Sequence, residues 1–143
     1  MKIRRVNRYS TRLFEAILKL LPQLDQSCPL PSEGDIRSII GNRDIRLVVA
    51  EMDDKSVAGM LTMASYRIPS GRKFWIDDVI VDEDHRGMKI GRDLMMFAIA
   101  MAKSEGAKSI DLTSRPFRKA ANQLYSDLGF KRRETNVYRL SLD

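Results

Sequence analysis

The sequence has one cysteine, one histidine and one tryptophan, and aromatic residues make up only 7% of its 143 residues. With Cys28 alone, no intrachain disulfide can form, which fits a reducing compartment. Cys28 lies in a proline-flanked loop with no neighbouring histidine, which argues against a catalytic thiol. His85 is isolated in an acidic turn beside Arg86, so a transition-metal site has no ligand set and no metal is expected. The absence of a nucleophile-elbow pattern removes a Ser/His/Asp hydrolase. No apolar run approaches the roughly 18 residues that a bilayer span needs. The basic start, Met1, Lys2, Arg4 and Arg5, leads into a stripe broken by Glu15 and Lys19, which reads as an amphipathic helix and not a signal sequence. A soluble, cytoplasmic protein without a membrane partner is expected. Repeats, low-complexity tracts and linkers are also missing, and the length suits one domain over 1–143.

Basic residues outnumber acidic ones by 25 to 19, a net charge of +6. That balance favours an acidic partner such as a nucleotide cofactor, a nucleic acid or an anionic surface. The run Lys131-Arg132-Arg133 raises a nucleic-acid-binding module as one hypothesis. No aromatic residue interleaves with the run, and few are available to stack on bases, so nucleic acid is the disfavoured partner.

The periodicity changes along the chain. A weak alternation over 2–9 predicts a first strand. Ser10 or Thr11 can cap a helix with Leu13, Phe14, Ile17, Leu18 and Leu21 at spacings of three and four, which Pro22 should stop. Ser32 starts a second helix with Ile36, Ile39 and Ile40 on one face, ended by Gly41. Strands are expected over 46–51, 57–67 and 73–81, the first two as a hairpin. A helix from Gly91 carries Leu94, Phe97, Ala98, Met101 and Ala102, and Gly106 ends it. The short strand at 109–113 is reached by a crossover helix and should run parallel to 73–81. A helix over 117–128, with Phe117, Ala121, Leu124 and Leu128 facing inward, is capped by Gly129. Segments 130–133 and 137–142 read as a closing strand pair. The order implies an α/β (α+β) chain with a mixed, mostly antiparallel sheet and helices on both faces.

The stretch 74–93 carries the strongest chemical signal. Arg86, Gly87, Met88, Lys89, Ile90, Gly91 and Arg92 form a basic, glycine-containing turn entering a helix, where unpaired N–H groups and the helix dipole favour an anion. Upstream, Asp77 and Asp78 break the alternation between Ile76 and Val79, so either the strand bulges there or both faces are partly polar. A bulge would splay the strand from its parallel neighbour and let an extended ligand pair with the exposed backbone. Asp77 or Asp78 would then be placed to accept a proton. On the later helix, Arg118, Asn122 and Tyr125 share one face.

These residues resemble a family. The pattern V-x-x-x-x-R-G-x-x-I-G from Val81 to Gly91 is similar to the acyl-CoA pyrophosphate motif of the GNAT superfamily of N-acyltransferases. Leu124-Tyr125 followed by Leu128-Gly129-Phe130 resembles that family's L-Y-x-x-x-G-F ending, and the element order resembles the GNAT fold over essentially the whole chain. The resemblance implies a sheet splayed at its parallel strand pair, with acetyl-CoA as cosubstrate lying in the splay. Val79, Ile80 and Val81 would pair with its pantetheine amides. Arg86 to Arg92 would hold its pyrophosphate, with Arg118 and Asn122 also beside the cofactor. Tyr125 would protonate the departing thiolate, and Asp77 or Asp78 would take the proton from a primary amine on a small molecule or protein. Two positions depart from the family pattern. Lys89 stands where the loop has a glycine, so it is strained if that position needs positive φ. Arg118 stands where many members carry asparagine. A catalytically silent acyl-CoA sensor is the other alternative, and homodimerisation through the sheet edge or last strands stays open.

Overall fold

Two serines set the first two helices. In a computed structural model describing all 143 residues, Ser10 Oγ accepts from the Leu13 N–H at 3.1 Å and opens α1 (Thr11–Leu24). Ser32 and Asp35 form a reciprocal capping box at the head of α2 (Glu33–Gly41). Pro22 does not stop α1. It removes only one intrahelical bond near the end, and the Asp25 N–H still closes the last turn on Leu21 O at 3.2 Å.

The chain forms two compact units, Met1–Thr113 and Ser114–Asp143. In the first, β1 (Lys2–Arg5), β2 (Ile45–Glu51), β3 (Val57–Ile68) and β4 (Gly71–Val81) make a four-stranded antiparallel sheet in the order β1-β2-β3-β4. On one face, Leu13, Ile17, Leu20, Leu21 and Ile36 of α1 and α2 pack with Leu47, Val49, Met60 and Ile80. On the other lies α3 (Ile90–Ser104). Its C-terminal Glu105 receives Nε and Nη2 of the buried Arg46, whose guanidinium also faces the Phe74 ring.

The break at Asp77-Asp78 is a bulge. Thr62 pairs with Asp77 and Met60 with Ile80, so Leu61 alone stands opposite Asp78 and Val79. Asp78 takes φ 52°, a left-handed conformation that aspartate tolerates better than most side chains. The extra residue shifts the phase of the strand. Phe74 and Ile76 are buried towards α3, whereas Ile80, an even number of residues later, is buried under α1.

Several expectations need correction. The parallel strand at 109–113 is reduced to a single bridge: the Asp111 N–H donates to Phe74 O, and the Ile76 N–H donates to Asp111 O, each at 3.0 Å. Ile110 and Leu112 are the only large apolar residues in that segment, too few to hold a longer ladder. The closing pair at 130–133 and 137–142 does not form, and residues 131–143 are exposed throughout. Lys131, Arg132 and Arg133 place consecutive like charges in the first of those segments, which opposes pairing without a partner of opposite charge. The last helix, α4 (Lys119–Asp127), begins after Phe117, whose side chain is 72% exposed and not turned inward.

The link after β4 is not a solvated turn at its first residue. Asp82 is buried and accepts from Lys19 Nζ at 3.0 Å and from the Asp84 N–H at 3.2 Å. Gln23 Oε1 accepts from the Glu83 N–H at 2.9 Å, so the end of α1 is tied to the short 3-10 turn Glu83–His85. Burial pushes the Asp82 carboxyl up, but the Lys19 ammonium and the Asp84 amide outweigh it, and its pKa lies below the ordinary value. A depressed folded pKa stabilises the protein above the unfolded carboxyl's pKa, and that stability disappears as pH falls through the folded value. Urea midpoints should therefore drop below about pH 4. Asp82→Asn should be less stable at neutral pH and show a flatter acid profile; an unchanged profile would mean that other carboxylates govern acid stability.

Candidate active site

The first unit brings together the acidic break and the basic turn through one continuous stretch. Asp77 and Asp78 sit on the bulge, Val79, Ile80 and Val81 finish β4, and Asp82 anchors the 3-10 turn that delivers Arg86. Both Asp77 and Asp78 present exposed side chains. Protein crowding around the Asp78 carboxyl, and secondly the Asp77 charge, raise its pKa above the ordinary carboxylate range. A raised pKa makes Asp78 a better proton acceptor than a free aspartate.

The turn into α3 has two left-handed residues, Gly87 at φ 82° and Lys89 at φ 62°, with Met88 between them. Lys89 is the N-cap of α3, and its side chain makes no capping bond. The first helical return bond runs from the Asp93 N–H to Lys89 O at 3.1 Å. The N–H groups of Ile90, Gly91 and Arg92 therefore stay outside the helix ladder. Arg86, Lys89 and Arg92 are exposed, and none joins an ion pair. Free amides and unneutralised cations at one helix start fit an anion of high charge, such as a pyrophosphate.

Lys89 does take the positive φ in question. A left-handed non-glycine residue costs about 1–2 kcal/mol, and glycine returns about 0.5–1 kcal/mol of that through its freer unfolded chain. Lys89→Gly should raise stability by about 0.5–1 kcal/mol in urea unfolding. A loss of stability would show that Lys89 makes up the strain elsewhere.

Gly59 was not singled out from the sequence, yet it sets the height of this turn. A Cβ there would lie 2.9 Å from Ile80 O, 3.2 Å from Leu94 Cδ1 and 3.3 Å from Ile90 Cγ2. Only glycine lets the first turn of α3 approach β3 this closely. The available signal was a glycine inside a strand pattern.

In the second unit, α4 carries the remaining candidates. Arg118 is its N-cap, and Asn122 Nδ2 donates to Arg115 O at 3.0 Å. Tyr125 is buried, and its hydroxyl donates to no protein atom. Burial raises its pKa, and the Arg118 charge opposes the shift without cancelling it. The helix ends in a Schellman motif: the Phe130 N–H donates to Tyr125 O at 2.9 Å and the Gly129 N–H to Ser126 O at 3.0 Å, with Gly129 at φ 96°. The motif folds Phe130 back until its ring meets Tyr125 edge-on at 6.0 Å. The L-Y-x-x-x-G-F pattern is thus the covalent form of a helix end that fixes a tyrosine.

Residues 5–130 match the Acetyltransferase (GNAT) family. The chain belongs to the GNAT acetyltransferase family. Its α+β architecture, with a four-stranded antiparallel sheet and four helices, is the GNAT-like fold. An aminoglycoside acetyltransferase from an uncultured soil metagenomic sample, solved with trehalose, superposes with a TM-score of 0.88 at 15% identity, covering 99% of this chain and 96% of that one. A Trypanosoma brucei acetyltransferase gives 0.78 at 24% identity, with 99% of each chain covered. A ribosomal-protein-alanine N-acetyltransferase from Brucella melitensis biovar Abortus 2308 gives 0.76 at 19% identity, covering 98% of this chain and 100% of that one. No curated protein matches the sequence. No helix is long and apolar enough to cross a membrane.

Proposed function

We propose that this GNAT protein transfers an acetyl group from acetyl-CoA to a primary amine of a small molecule or peptide, using the whole chain as one acetyltransferase domain. The observation that carries the reading is the left-handed turn at Gly87 and Lys89, which presents unbonded amides and free cations directly after a bulged strand. The family match continues through both units, which supports their acting together.

Acetyl-CoA would supply an activated acetyl thioester. The chain's residues would do the rest. The N–H groups from Gly87 to Arg92 and the cations of Arg86, Lys89 and Arg92 would bind the pyrophosphate, and the β4 backbone at Val79 to Val81 would orient the pantetheine arm. Arg118 and Asn122 would contribute further cofactor contacts, Asn122 through the part of its amide not engaged by Arg115. Asp78, with its raised pKa, is preferred over Asp77 as the group that takes a proton from the ammonium, directly or through water. Tyr125, held protonated by burial, would keep a proton on Oη for the departing thiolate.

CoA alone tests the cofactor claim. At a concentration about 100 times its Kd it should raise the thermal midpoint by roughly 5–10 °C; no shift at millimolar CoA would remove the reading. A thiol-release screen with acetyl-CoA should then include an aminoglycoside, a polyamine and a peptide with a free N-terminus. The similar proteins named as an aminoglycoside acetyltransferase and a ribosomal-protein-alanine N-acetyltransferase motivate two of those choices.

A further inference from the structure

The end of the sheet away from the basic turn holds a second group of arginines. There β2 begins, β3 runs into β4, and Glu105 closes the C-terminal end of α3. Strand register sets Arg67 directly opposite Arg72, and the Ser65 N–H donates to Asp44 O at 2.9 Å in the neighbouring row. Like charges facing each other across a strand pair are destabilising unless something answers them. Arg72 is answered in part. Its guanidinium donates to Ser65 Oγ at 3.1 Å, to Glu105 Oε1 at 3.2 Å and to Glu105 O at 3.3 Å, the last at the partly negative end of α3. The same Glu105 carboxylate also serves the buried Arg46, so two guanidiniums share it. Arg67 and Asp44 are exposed, and neither joins an ion pair. Both line a cavity of about 430 Å³, together with Ser65, Tyr66 and Arg72. A cavity walled by a free cation and a free carboxylate suits a ligand that both accepts and donates hydrogen bonds.

We propose that this cavity binds hydrogen phosphate, either as the free ion or as the phosphate of a small ester. Two guanidiniums on facing strands match the charged oxygens of a tetrahedral anion, each as a fork of donors. Arg67 offers all of its N–H groups, and Arg72 keeps donors beyond its three bonds to Ser65 and Glu105. Asp44 accepts from the P–OH. Sulfate has the same shape but carries no proton at neutral pH, so it would meet the Asp44 carboxylate with nothing to donate. The anion also relieves the repulsion between Arg67 and Arg72. The 15 residues of α3 put about 22 Å of helix between this cavity and the cofactor turn. The proposal therefore does not depend on the acetyl-transfer reading.

Two-dimensional NMR of the isotope-labelled protein, titrated with inorganic phosphate at constant ionic strength, tests it. The amides of Ser65, Tyr66, Arg67 and Arg72 should shift saturably at millimolar phosphate, and sulfate should bind at least about tenfold more weakly. Arg67→Gln should weaken phosphate binding at least about tenfold, and Arg67→Lys should restore part of it. Arg67 is exposed and unpaired, so either variant leaves the fold in place. Asp44→Asn should narrow the gap between phosphate and sulfate. A parallel titration with glycerol phosphate separates the two sources: tighter binding than inorganic phosphate assigns the site to an ester, weaker binding to the free ion. Shifts confined to amides 87–92 would put the anion at the cofactor turn and overturn the proposal. An equal response to sulfate, a response to glycine in place of phosphate, no response at all, or an Arg67→Gln variant that binds like the wild type would overturn it as well.

Discussion

Tyr125→Phe should lower kcat by at least about a hundredfold and leave the KM for acetyl-CoA within about twofold. The substitution removes one atom from a buried ring and leaves the edge-on contact with Phe130 in place. The hydroxyl donates to no protein atom, so no bond inside the fold is lost. What disappears is the hydroxyl of the proposed proton donor, whose pKa burial holds above the ordinary phenol value. The effect should therefore fall on turnover and not on binding or on the thermal midpoint. Wild-type turnover in the variant would show that the leaving thiolate departs unprotonated or takes its proton from water.

The second large effect is on stability. Gly59→Ala should destabilise the protein by about 1–3 kcal/mol, the usual range for overpacking a closed core. The atom met first, at 2.9 Å, is the Ile80 carbonyl, part of the neighbouring strand and unable to swing aside. Relief must come from shifting the β4 backbone at Ile80, which leads towards the basic turn, and from displacing the Ile90 and Leu94 side chains of α3. CoA affinity should fall along with the urea midpoint. An affinity loss without a stability loss would place Gly59 among the ligand contacts instead.

The parts of the fold set by local chemistry were legible in the residues. Ser10 and Ser32 cap where their hydroxyls reach the next turn, and Gly129 ends α4 because a left-handed residue is needed there. The broken alternation at Asp77-Asp78 marked the bulge. The resemblance in the Val81–Gly91 and Leu124–Phe130 patterns points to the family from the residues alone. What escaped depends on distant partners. Asp82 looks like one more acid in a turn until Lys19 and Gln23, some 60 positions away in sequence, arrive beside it. Gly59 reads as a weak spot in a strand until α3 lies against it. The segments at 109–113 and 137–142 have strand composition, but composition does not say which chain, if any, supplies the other half of the ladder.

The bulge makes the site sensitive to chain length in a way that its side chains are not. Glycine or asparagine could replace Asp78 at its left-handed φ and leave the ladder intact. Deleting it would keep every other residue, yet would turn Ile80 out of the core under α1 and present Val81 in its place. The 3-10 turn and the basic loop would then begin from the opposite face of the sheet. Among relatives that share this geometry, single-residue gaps in the stretch from Asp77 to Gly91 should be almost absent.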